Sequence, residues 1–119
     1  MLSNSANNAS SIRINAKKVA DGTIEVKVLI KHPMESGFRK DLDTGKLIPA
    51  HFVEEVICEH NDKVIMKATL SGAVSINPYL AFKFKEGQLG DIVRLSWRDN
   101  KEGSGETSTT IVKADTNQT

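Results

Sequence analysis

Several common functional devices are missing from this chain. It has one cysteine, Cys58, in 119 residues. That excludes an internal disulfide framework and any zinc site built on several thiolates. Neither sign of charge dominates: 16 Lys and Arg face 15 Asp and Glu, a formal net charge of +1. A general binder of nucleic acid or anionic membrane would carry a basic excess, so neither partner is expected. No apolar run approaches the ~18 residues of a membrane span. No glycine-rich phosphate loop precedes a helix, and no convincing helix is present to lend its dipole. The length fits one domain and leaves no room for a second. Residues 1–11 are polar, with almost nothing to bury, and predict a disordered tail. They also lack the basic-then-apolar order of a secretory signal. Residues 114–119 read as a second polar tail.

What is present is alternation. Between the tails apolar residues recur with period two, the signature of half-buried strands. Ile12 and Ile14 share one face, and Ile24, Val26, Val28 and Ile30 form the cleanest run. Phe52–Cys58 places Phe52, Val56 and Cys58 on one face, with Val53 and Ile57 on the other. Both faces being partly apolar suggests a central strand. Val64–Leu70, Leu80–Phe84, Val93–Trp97 and Thr107–Val112 follow, separated by Gly-, Asn- and Asp-rich turns. Asp99–Gly105 reads as a polar hairpin tip. About seven short strands in a ~100-residue core predict an all-β, immunoglobulin-like antiparallel β-sandwich over residues 12–113. With one Cys and a late Trp97, it is not a true antibody domain. Such a sandwich has edges that invite pairing with another chain.

One connection is far too long for a sandwich. About twenty residues separate Ile30 from Phe52, and they include Met34, Phe38, Leu42, Leu47 and Ile48. Asp43-Thr44-Gly45 suggests a hairpin tip, flanked by a small ribbon. Two readings are open: a lid over one end of the sandwich, or a binding surface. Alternating apolar and charged residues in a long exposed connection favour the surface.

Catalytic and metal chemistry find little support. Cys58 and His60 would share a face, about 6–7 Å apart along a strand. Cys58 is also in phase with Phe52 and Val56, however, which marks it as a core residue. His51 and His60 would lie about 30 Å apart on opposite faces of one straight strand. His32 reaches His51 only if the long loop folds back, so no metal site and no cofactor are expected. Asp41–Gly45 fails as a calcium loop, since Lys46 stands at the invariant Gly position and Phe52 at the bidentate Glu. Glu54 and Glu55, adjacent on a strand, should face opposite ways. No catalytic residue is assigned.

The segment His32-Pro33-Met34-Glu35-Ser36-Gly37-Phe38-Arg39-Lys40-Asp41, followed by Gly45-Lys46-Leu47-Ile48-Pro49-Ala50-His51-Phe52-Val53, is distinctive. It resembles the Z-subunit family of the bacterial sulfur-oxidation (Sox) carrier, with Ser36 and Phe38 as mild departures from the family's signature. The resemblance implies an Ig-like sandwich that pairs with a Y subunit as a heterodimer. That partner's mobile, glycine-rich arm carries thiosulfate-derived intermediates on a cysteine, and SoxAX, SoxB and SoxCD visit it transiently. It further implies a non-catalytic chain, located in the periplasm and exported with the signal-bearing Y subunit. This sequence has no arm cysteine of its own, and Cys58 is not the carrier thiol. The expected partner contacts are His32, Met34, Glu35, Phe38, Arg39 and Lys40, while Pro33, Gly37, Gly45 and Pro49 are expected to shape the loop. The alternative is a free-standing Ig-like binding module for a small ligand or protein.

Overall fold

The computed structural model describes residues 11–115, so the expected tails fall almost wholly outside the described residues. Seven strands follow in order: β1 (Ile12–Lys18), β2 (Ile24–Ile30), β3 (Val53–His60), β4 (Lys63–Thr69), β5 (Tyr79–Phe84), β6 (Ile92–Asp99) and β7 (Ser104–Lys113). No helix occurs among the described residues, hence none long and apolar enough to cross a membrane. The predicted all-β, Ig-like architecture is therefore what the chain adopts.

The strands form one curled, nearly closed sheet in the order β4-β3-β6-β7-β1-β2-β5. Two antiparallel blocks, β4-β3-β6-β7 and β1-β2-β5, face each other. They are joined by a short parallel pairing of β1 with β7, Ala16 opposite Ile111. Alternation then does what it must: every second residue points into the space between the blocks. Ile24, Val26, Val28 and Ile30 of β2 meet Val53, Val56 and Cys58 of β3 and Val93 and Leu95 of β6 in one core. Each is fully buried or nearly so, which stabilises the fold by about 1.5–3 kcal/mol for a large aliphatic side chain.

Strand β3 is central, between β4 and β6, as its two-sided apolar pattern suggested. Its phase differs from simple alternation, because the β3–β6 register slips between Val53 and Glu55. Val53, Val56 and Cys58 are buried as a result, while Phe52 lies before the strand and only partly covered. The same irregularity corrects the expectation for Glu54 and Glu55. Both reach Arg98, through Nη1 at 2.6 Å and Nε at 3.4 Å respectively. An extra residue in a strand re-aims the side chain beside it.

Candidate functional site

The long connection folds back on itself into a ribbon. Its two legs pair at Glu35 with His51 and again at Lys40 with Leu47. The tip is a tight turn: Gly45 N–H donates to Asp41 O, and Asp41 N–H to Lys46 O. Asp41 Oδ1 accepts from the Asp43 backbone, and Gly45 takes φ +73°, a conformation costly for any residue with a Cβ. Gly37, at φ +92°, sits where the legs approach, since a Cβ there would lie 3.2 Å from Ala50 Cβ. Gly37 and Gly45 thus have the conformations of loop-shaping residues. Pro33 and Pro49 lie on opposite legs.

The base of the ribbon is a buried clasp. His32 stands on the first leg, His51 on the second, and Asp99 at the end of β6. Asp99 Oδ2 accepts from His32 Nε2 at 2.9 Å and from His51 Nε2 at 2.8 Å. Asp99 Oδ1 accepts the backbone N–H groups of Lys101 and Gly103. Burial alone would raise the Asp99 pKa, but the hydrogen bonds from His32, Gly103, His51 and Lys101 outweigh it and hold the group at about 2. One carboxylate therefore ties both legs of the ribbon to the β6–β7 turn. The stretch from Asp99 onward, read from sequence as a polar tip, begins inside the molecule: Asp99 is 5% exposed.

Two histidines and an aspartate within 4.8 Å of one another have the composition of a metal site. The tautomer of His32 argues against that use. Its Nδ1 accepts the Met34 backbone N–H at 3.0 Å, so Nδ1 carries the lone pair and Nε2 the proton. Ligation through Nε2 would put a proton on Nδ1, facing another N–H. The His32-Pro33-Met34 motif is explained by this geometry. His32 caps the backbone of Met34, which is held at φ +51°, and Met34 Sδ in turn accepts Val53 N–H at 3.3 Å.

The six expected partner contacts therefore separate into two groups. His32 and Met34 are 4% and 6% exposed and present almost no surface; they build the base. Glu35 and Arg39 are joined by a bidentate pair, with the shorter contact at 2.6 Å. The Arg39 guanidinium holds the Glu35 carboxyl below its ordinary range. Phe38, Arg39 and Lys40 are exposed. Phe38 is 86% exposed and Leu42 98%, and Leu47 also projects into solvent, so the ribbon displays apolar side chains on a fixed support. The assignment of contacts omitted Leu42, Leu47, His51 and Asp99. Leu42 and Leu47 were visible as apolar residues in a loop, but nothing local connects Asp99 to residues 32 and 51.

Cys58 is fully buried, and burial pushes its thiol up to about 12. His60 does not serve it, because His60 Nε2 lies 2.7 Å from Asp91 Oδ2, in the turn that precedes β6. A thiol protonated at every physiological pH is no nucleophile.

Comparison with solved structures finds the same fold in distant proteins. A variant of the superoxide reductase (neelaredoxin) from Ignicoccus hospitalis is 16% identical with a TM-score of 0.63, covering 92% of this chain and 85% of that one. Another structure of superoxide reductase (neelaredoxin) from the same organism has a TM-score of 0.59 at 16% identity, covering 87% and 80%. At such identity the likeness concerns the fold alone. No curated protein matches the chain. Residues 12–110, spanning the ribbon, the clasp and all but the last residues of β7, match the family of the sulphur oxidation protein SoxZ, and the chain belongs to that family.

Proposed function

We propose that this chain is the non-catalytic subunit of a sulfur carrier. It pairs with a Y-type subunit whose arm cysteine holds thiosulfate-derived intermediates while SoxAX, SoxB and SoxCD act on them in turn. The observation that carries this reading is the family match over residues 12–110. The state of the thiol supports it: the chain's one cysteine is sealed in the core and stays protonated, so a carrier built on thiol chemistry takes its thiol from another chain. The ribbon supports it as well. Phe38, Arg39 and Lys40 stand on a base fixed by hydrogen bonds, and a surface ordered beforehand loses little entropy when a partner binds. In this reading the pair works in the periplasm, and the chain arrives there folded against its signal-bearing partner.

The test is co-expression with a Y-type chain ending in a glycine-rich cysteine arm. A stable heterodimer by size exclusion with light scattering is expected. A chain that stays monomeric beside that partner would refute the reading. Phe38→Ala with Leu42→Ala should leave the free chain's melting temperature unchanged and lower the rate at which reconstituted Sox enzymes turn over thiosulfate.

A further inference from the structure

The two outer faces of the curled sheet carry charge differently. On the β4-β3-β6-β7 face, cations are matched by carboxylates: Arg94 with Glu59, Arg98 with Glu54 and Glu55, Lys67 with Glu55. On the β1-β2-β5 face they are not. The register sets Lys17, Glu25 and Lys83 in one row across the three strands. The next rows are Asn15, Lys27 and Ala81, then Arg13, Leu29 and Tyr79. Four cations stand there against Glu25 within the strands, and against Asp21 of the β1–β2 turn, whose charge meets that of Lys83. The one ion pair among them is a loose contact between Lys27 and Glu25 at 3.7 Å.

This cationic face ends at β5, an open edge of the sheet. Ile30 N–H donates to Pro78 O, which fixes the hydrogen-bonding phase of the β2–β5 pair. Antiparallel alternation then turns the backbone groups of Leu80, Phe82 and Phe84 toward β2. The N–H and C=O groups of Tyr79, Ala81 and Lys83 are left pointing outward along the free edge. Behind that edge the side chains of Leu80, Phe82 and Phe84 pack on the core but remain only partly covered. A strand added to β5 would satisfy the outward backbone groups and finish covering those three side chains. The other edge, β4, is less suited: its pairing with β3 is irregular at Cys58/Glu59, and its Lys67 is already paired with Glu55.

We infer that the β5 edge receives an extended strand of the partner subunit, with Asp or Glu on the side that continues the Lys17–Lys27–Lys83 face and apolar residues on the side that covers Leu80, Phe82 and Phe84. Charge selects this occupant. A second copy of the chain would continue the sheet with another cationic face, which repels, whereas an acidic strand neutralises it. The inference rests on the carrier-subunit reading and adds where the partner is held.

The experiment measures backbone amide exchange by NMR in the isotope-labelled full chain, free and in complex with the Y-type subunit. Formation of the heterodimer tests the underlying reading. Slowing of exchange at Ala81 and Lys83 by at least about tenfold tests the inference. The Lys27→Glu/Lys83→Glu variant should weaken the heterodimer by about tenfold at low salt and by less at high salt, while the free chain still folds and melts cooperatively at a slightly lower temperature, since both new carboxylates stand beside Glu25. A heterodimer in which Ala81 and Lys83 exchange as in the free chain, or in which protection falls on Lys67 and Thr69 instead, overturns the inference while the carrier reading stands. A charge-reversed variant that pairs as tightly as the wild type overturns the acidic strand. Failure to form any heterodimer removes both.

Discussion

Replacing Asp99 by asparagine should destabilise the protein out of proportion to the change of one atom. The carboxylate accepts four hydrogen bonds, two from imidazoles and two from backbone N–H groups. An amide of the same shape offers one oxygen and one NH₂. If the oxygen keeps Lys101 and Gly103, the NH₂ faces the Nε2–H groups of His32 and His51; turned over, it faces the two backbone donors. His32 cannot escape by changing tautomer, because its Nδ1 serves Met34. A buried donor left without a partner costs about 1–3 kcal/mol. His51, with its side chain 30% exposed, can turn toward water, whereas His32 at 3% cannot. The expected loss is therefore about 2–4 kcal/mol at pH 7, a large part of the ~5–15 kcal/mol that holds a domain together. Urea unfolding followed by fluorescence would measure it, since the one tryptophan, Trp97, lies 5.4 Å from the His32 ring. The sign with pH follows from the depressed pKa. Asp99 stabilises the native state above the unfolded carboxyl's value, and that contribution disappears as pH falls from about 4 through about 2. The gap between wild type and Asp99→Asn should narrow over that window. A loss below about 1 kcal/mol at pH 7, or a gap that stays constant down to pH 2, would refute the clasp.

Gly105→Ala would put a Cβ 2.6 Å from Trp97 Nε1 and 2.9 Å from Cε2; strand and ring both resist, and thermal melting should report a loss of about 1–3 kcal/mol. Cys58 should resist a water-soluble maleimide in the native protein and react once urea unfolds it, as mass spectrometry would show. Cys58→Ser should lower stability by about 1–2 kcal/mol and leave the rate of thiosulfate oxidation by the reconstituted system unchanged. Leu42→Ser, at the exposed tip, should shift the unfolding free energy by less than about 0.5 kcal/mol in a denaturant titration.

The strands were legible because burial obeys a local rule. Ile24, Val26, Val28 and Ile30 announce their face by spacing alone, and all four are at most 1% exposed. The ribbon's turn was legible for the same reason, since Asp43-Thr44-Gly45 requires one residue at positive φ. What could not be read depended on residues meeting from far along the chain. The phase of β3 is broken by a register slip that period two cannot signal, which is why Phe52 and the Glu54–Glu55 pair were misplaced. The clasp needs His32, His51 and Asp99 together, from two loop legs and the end of a later strand. Spacing allowed His32 to reach His51 only if the long loop folded back, as it does, and it rightly kept His60 apart; Asp99 had no local signal at all. The resemblance singled out His32 and Met34, but as surface contacts; only three-dimensional packing shows that they hold up the surface.

The parallel pairing of β1 with β7 has a bearing on how the protein is made. Ala16 and Ile111 come from opposite ends of the domain, yet they join its two halves. Each half can assemble from nearer neighbours, by hairpin pairings such as β1 with β2 and β3 with β4. The interior cannot be sealed until β7 has been synthesised and has reached back to β1. Such late, distant closure slows folding toward milliseconds or longer. During that interval the apolar inner faces and the cationic β5 edge are open together. A strand able to bind the β5 edge can therefore do so before the core is sealed, because that edge is complete as soon as β5 has paired with β2.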